Sequence, residues 1–169
     1  ISSAKELLEI SLKLTMNLLG AARGSIFILD DDEKKLILKI AHGMAVQEEE
    51  QLVKRLGEGV VGQVAATKEP IVVYDIAQDQ RFKNYKARSS YQTPSFICAP
   101  LLLKDKLIGV ISIADKTCGS RFSENELQLL DFLSSQIALN YRRVQLYQQF
   151  QIMEQESLRL KDKLGKSSE

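Results

Sequence analysis

Between residues 4 and 19 the apolar positions fall at helical spacing: Leu7, Ile10 and Leu14 make one stripe, and Leu8, Leu12 and Leu19 a second, rotated one. A helix with two apolar stripes packs against two things at once, and Gly20 stops it. The period then changes. Residues 25–29 predict a strand, Asp30-Asp31-Asp32-Glu33 an acidic turn, and residues 35–41 the returning strand of a hairpin. Residues 47–56 predict a short helix ending at Gly57, and residues 63–67 another, broken by Lys68-Glu69-Pro70. A third strand begins over residues 71–74. From Asp75 to Pro94 the chain turns polar, with Phe82, Tyr85 and Tyr91 as isolated anchors. So long a connection inside a compact domain reads as a lid or binding segment, with disorder as the competing reading. Residues 95–103 and 107–116 are apolar on both faces around Lys104-Asp105-Lys106, which predicts a hairpin in mid-sheet, covered on each side.

The last helix has the clearest start. Ser123-Glu124-Asn125-Glu126 is a capping box, with Phe122 and Leu127 placed as its hydrophobic staple. No Gly or Pro follows until Gly165. Leu130, Leu133, Ile137, Tyr141 and Val144 form a stripe suited to a sheet. Beyond it, Leu146, Phe150, Met153, Ser157, Leu160 and Leu164 step by four and three, an a/d seam of about three heptads. The helix therefore outruns the domain. We divide the chain into a domain over 1–144 and a helical extension over 145–169.

Composition narrows the function classes. The 23 basic and 22 acidic residues nearly cancel, and no basic stripe with interleaved aromatics supports a nucleic-acid partner. The apolar runs are strand-sized, so neither membrane insertion nor a signal peptide is expected. Beginning at Ile1, the sequence reads as a piece of a longer polypeptide. Cys98 and Cys118 form no disulfide framework, which favours a reducing cytoplasmic setting. One histidine, His42, and no CxxC leave no metal site to expect, and no cofactor either.

The residues Gly57-Glu58-Gly59-Val60-Val61-Gly62-Gln63-Val64-Ala65, then Pro70-Ile71-Val72-Val73 with Asp75, are the first part of a family pattern. Ala99-Pro100-Leu101, Leu107-Ile108-Gly109-Val110-Ile111 and Phe122-Ser123 with Glu126-Leu127 complete it. In this order and spacing they make the chain resemble the GAF family from about Ala4 to Val144. The resemblance implies an α+β fold: a central antiparallel sheet of about five to six strands, the N- and C-terminal helices on one face, short helices and the long loop on the other. It also implies a sensory module that binds a small molecule and signals through its terminal helices to an output domain. A ligand-free dimerisation and relay module is the alternative, and a free methionine sulfoxide reductase-like enzyme a remote one.

By matching segments, the family pocket falls among Ser25, Phe27, Val60, Val61, Asp75, Phe82, Thr93, Ser95 and Ser112. The same side chains could equally fill a core. Cyclic-nucleotide-binding members carry an N-K, F, D-E signature. Here it reads Asp115-Lys116, Phe122, Glu126-Leu127, while Ser112 and the Ala87–Arg88 region occupy the base-reading positions. The capping box accounts for the last of these residues without a ligand. Gly57, Gly59 and Gly62 match the letter of a dinucleotide loop but follow a helix and not a strand, so a tight turn is the better reading. No cysteine lies in the long loop, which removes the nucleophile of the sulfoxide-reducing branch. One histidine without a nucleophile motif makes no triad, and no enzyme activity is expected. A homodimer through Leu7 and Leu8 of the first helix and Leu146, Phe150, Met153, Leu160 and Leu164 of the last is expected, because a monomer would leave those stripes in water.

Overall fold

The structure, a computed structural model, describes residues 3–30, 32, 34–43, 53–82 and 95–167. Its elements run α1 (Ala4–Leu19), β1 (Ala21–Leu29), β2 (Lys35–His42), β3 (Val53–Arg55), α2 (Gly59–Thr67), β4 (Ile71–Val73), a 3₁₀ turn (Gln80–Phe82), β5 (Phe96–Leu103), β6 (Lys106–Lys116) and α3 (Glu124–Ser167). The six strands form one sheet in the order β3-β2-β1-β6-β5-β4, every neighbouring pair antiparallel.

Period-two alternation sorts the strand side chains into two cores. On one face Ile26 and Ile28 of β1, Ile97, Ala99 and Leu101 of β5, and Ile111 and Ile113 of β6 meet α1 and the first half of α3. On the other, Phe27, Phe96, Cys98, Val110 and Ala114 pack with Val60, Val64 and Ala65 of α2 and with Ile76 and Phe82. The β5–β6 hairpin thus lies between two cores, as its doubly apolar strands predict. The helices sit as the fold class requires, α1 and α3 together on one side and α2 on the other.

Local chemistry sets the element ends. Ser3 caps α1 by accepting a hydrogen bond from the Glu6 amide at 3.1 Å, and Gly20 closes it at φ +62°. β1 starts at Ala21, earlier than expected, where Ala21 pairs with Lys116 at the end of β6, and Gly24 lets α1 lie against the strand. A Cβ there would come within 2.9 Å of Leu12 Cδ1 and Met16 Sδ. The helix expected over 47–56 is corrected at its end: Val53–Arg55 is an edge strand paired with Lys35, Leu36 and Ile37, and the rest lies outside the described residues. Residue periodicity cannot distinguish three residues of frayed helix from an edge strand, whose hydrogen bonds go to a distant segment. α2 begins at Gly59, so the glycine turn itself supplies its first turn, with Gly57 and Gly59 at positive φ.

The capping box of α3 is formed. The Ser123 hydroxyl accepts from the Glu126 amide at 3.2 Å, and the Glu126 carboxylate accepts from the Ser123 amide at 3.1 Å. The helix then runs 44 residues, through Gly165. Tyr141 is its last buried residue, and from Glu154 onward every described position is exposed.

The expectation about the outer face of α1 needs correction. Leu7 and Leu8, expected at a dimer surface, are 7% and 1% exposed within this chain's own core. The outward stripe of α1 is instead Ile10, Leu14 and Leu18, at 40%, 58% and 65%. Hydrophobic spacing marked two stripes, but packing on the sheet splits the first: Leu7 joins Leu8, Leu12 and Leu19 in the core, while Ile10 and Leu14 face out.

Candidate functional site

Three strands supply the wall of the face covered by α2. Ser25 of β1 and Cys98 of β5 both pair with Ser112 of β6, so hydroxyl, thiol and hydroxyl lie in one row across the sheet. Phe27 lies two residues along from Ser25 on the same face. Val60 is buried and Val61 partly buried above them, and Phe82 closes the side at 6% exposed. Six of the nine expected pocket residues, Ser25, Phe27, Val60, Val61, Phe82 and Ser112, therefore belong to one face.

The other three do not join them. Ser95 is 1% exposed, and its hydroxyl accepts a hydrogen bond from the Phe122 amide at 3.1 Å, which places it in the approach to α3. That is a structural post between β5 and the exit helix, and it corrects the pocket assignment. Asp75 accepts from the Ala77 amide at 3.0 Å, and its carbonyl accepts from Gln78, so its carboxylate shapes the turn after β4. Thr93 lies outside the described residues.

The turn after β4 is held by charge. Arg81 donates to Asp79 through Nε at 2.9 Å and through Nη2 at 2.6 Å, and also reaches the Val72 carbonyl at 3.0 Å. The Arg81 hydrogen bond holds the Asp79 carboxyl below its ordinary value. With its guanidinium over the Phe82 ring, this fork seats the phenyl in the core. Sequence reasoning missed it; the Asp-x-Arg spacing was the available signal.

The signature-like residues after β6 are occupied with one another. Lys116 Nζ is 2.7 Å from Glu126 Oε1 and lies over the Phe122 ring, which is 1% exposed. Asp115, at φ +56°, pairs with Arg23 at 3.4 Å and so ties β6 to β1. These contacts fasten the start of α3 to the sheet.

The cysteines differ sharply. Burial pushes the Cys98 thiol up, against a weaker opposing hydrogen bond with Ser112. Cys118 is exposed, 2.9 Å from Ser120 Oγ, and that hydrogen bond lowers its thiol, with Lys116 adding to the effect. A thiol reagent is expected to modify one cysteine in the native protein, at a pH below that of a free thiol, and the second only after unfolding. Two fast-reacting thiols would contradict the burial of Cys98.

No described helix is long and apolar enough to cross a membrane. Comparison with curated proteins finds 27% identity over 167 residues to the nitrogen fixation protein VnfA of Azotobacter vinelandii, covering 94% of this chain and 31% of that one. The dual 3',5'-cyclic-AMP and -GMP phosphodiesterase 11 of Drosophila melanogaster is 30% identical over 152 residues, 80% of this chain but 10% of the relative. The chain thus spans a third or less of the curated relatives it matches. Among solved structures, the GAF domain of a phosphoenolpyruvate-protein phosphotransferase from Coxiella burnetii superposes with TM-score 0.73 at 22% identity, covering 87% of each chain. Free methionine-R-sulfoxide reductase from Neisseria meningitidis, solved with its substrate, gives TM-score 0.71 at 18% identity over 87% of this chain and 83% of that one. At such identities these likenesses speak for the fold. The GAF domain family model matches residues 3–141. The chain belongs to the GAF domain family.

Proposed function

We propose that this chain is a sensory or regulatory module of a longer cytoplasmic protein, in which the face under α2 takes a small neutral molecule and α3 carries the response to an output domain. The observation that carries the reading is the exit helix. Its first half is built into the core, while Leu146, Phe150, Met153, Leu160 and Leu164 beyond it are 52–71% exposed on the same rigid element. A heptad seam in water is unfavourable unless a second helix covers it. The outward stripe of α1 (Ile10, Leu14, Leu18) and Phe132 in the first half of α3 are further exposed apolar positions, on two helices that pack together. A homodimer with its seam over 145–169 would bury all of this and place two output domains side by side. The module then signals only if its ligand favours one arrangement of the helix pair over the other.

A second reading has its own support. Phe27, Val60 and Phe82 are each about 5–6% exposed, so side chains fill much of the pocket face. This favours a ligand-free dimerisation and relay module. Native mass spectrometry of the purified chain separates the two readings: added small-molecule mass supports a sensor, bare chain the relay.

Light scattering after chromatography is expected to give twice the 19.0 kDa chain mass. Truncation after Gln145 should weaken association by about tenfold or more, since each 1.4 kcal/mol of lost seam burial is a factor of ten. A monomer at high micromolar concentration would overturn the dimer.

A further inference from the structure

At the opposite end of the sheet from the capping box, a cleft of about 300 Å³ lies between the end of β1, the start of β6 and the departing α3. It is on the helix side of the sheet, away from the face under α2. Its helical wall carries Tyr141, Arg142, Gln145 and Gln149; Asp30 and Lys106 stand across from them, over an apolar floor. The polar groups of the wall are ordered by one another. Gln145 Nε2 donates to the Tyr141 hydroxyl at 3.0 Å, and its Oε1 accepts from Arg142 Nη1 at 3.5 Å. A guanidinium has five N–H donors, so this one long bond leaves most of its capacity for another partner.

Charge sets the sign of the occupant. Among the described residues no carboxylate lies within ion-pair distance of Arg142 or Lys106. Asp30 is the one acid in the wall, and its Oδ1 already accepts from the Lys34 and Lys35 amides. Among the lining residues two cations stand against one tethered carboxylate, with the acidic Asp32 and Asp105 on the adjoining turns making no ion pair with either cation. The cleft's mostly polar wall suits a hydrophilic molecule, and its volume falls at the lower end of small-molecule sites.

We propose that this cleft binds a small hydrophilic organic anion, a carboxylate of a few carbons whose charge meets Arg142 and Lys106 and whose other polar atoms meet Gln145 and Gln149. Because Tyr141 is the last buried residue of α3, such an anion ties the helix to the sheet where the two part. It would bias the direction in which the exposed seam leaves the domain. The site stands independently of any ligand under α2.

Titration of the ¹⁵N-labelled chain with glutarate tests this, with glutaramide as its uncharged counterpart. Saturable amide shifts centred on Leu29, Leu107 and Gln145 are expected for glutarate, with glutaramide weaker by about tenfold or more, as loss of a charge-assisted contact implies. Arg142→Gln should weaken glutarate by a similar factor. Should that variant also lower Tm, Lys106→Gln on the exposed hairpin turn replaces it, with a severalfold loss and unchanged Tm expected. Absence of saturable shifts, equal affinity for glutaramide, or indifference to the variants would overturn the proposal.

Discussion

Titrated calorimetrically with cyclic AMP or cyclic GMP, this chain is expected to show no micromolar binding. The position where a cyclic-nucleotide-binding relative would place a base-reading carboxylate is Ser112, and the structure sets it in a row with Ser25 and Cys98, none of them acidic. The second base-reading region, Ala87–Arg88, holds no carboxylate and lies outside the described residues. The signature-like residues are engaged elsewhere: Lys116 with Glu126, Asp115 with Arg23, and Phe122 in the core. A base edge buried without its partners loses roughly 1–3 kcal/mol for each unsatisfied group. Two such groups amount to about two to four powers of ten, enough to move a micromolar site toward millimolar. Micromolar affinity abolished by changing Ser112 or Thr93 would overturn this and make the residues after β6 a nucleotide mark.

Gly62→Val is expected to destabilise the domain by about 3 kcal/mol, at the upper end of ordinary substitutions. The reason is contact, since Gly62 has no positive φ. A Cβ on Gly62 would overlap the Arg55 carbonyl oxygen and come within 3.1 Å of the Gly57 amide nitrogen. The same segment exchanges hydrogen bonds at close range: Gly57 donates to the Gly62 carbonyl at 2.7 Å, and Glu58 to the Arg55 carbonyl at 3.0 Å. A valine must therefore push α2 off β3 or break that turn. Gly57→Ala is the informative companion. Nothing lies within 4 Å of its Cβ, but its φ is +84°, so only the left-handed backbone penalty of about 1–2 kcal/mol applies. Urea unfolding of both variants measures the difference. Equal losses would show that crowding at Gly62 has been overstated, and unchanged stability with altered ligand response would make the glycines functional.

Much of this architecture is legible in the sequence. The period-3.6 run before Gly20, the doubly apolar hairpin over 95–116 and the capping box at Ser123 each carry their signal within a few adjacent residues, and each element formed. The order of glycines, prolines and apolar segments identified the family for the same reason. Where signals were short or shared, the reading slipped. β3 is an edge strand of three residues, made by hydrogen bonds to β2 that no local pattern announces. Ser95 and Ser112 look alike as hydroxyls at strand positions; one supports Phe122 and the other faces α2.

The sequence by itself determined the first helix, the two hairpins, where the exit helix begins, and that the far half of that helix carries an unpartnered apolar seam. Those properties depend on propensity, capping and periodicity, which act over a few residues. Only the tertiary structure decided that Leu7 and Leu8 belong to the core while Ile10, Leu14 and Leu18 face out. Only it decided that Gly62 lies against the Arg55 carbonyl, and that Arg142 and Lys106 share a cleft although 36 residues separate them in sequence. Each of these follows from the angle and register at which distant elements pack, and a side chain's pattern states that it must be buried or satisfied without stating by whom.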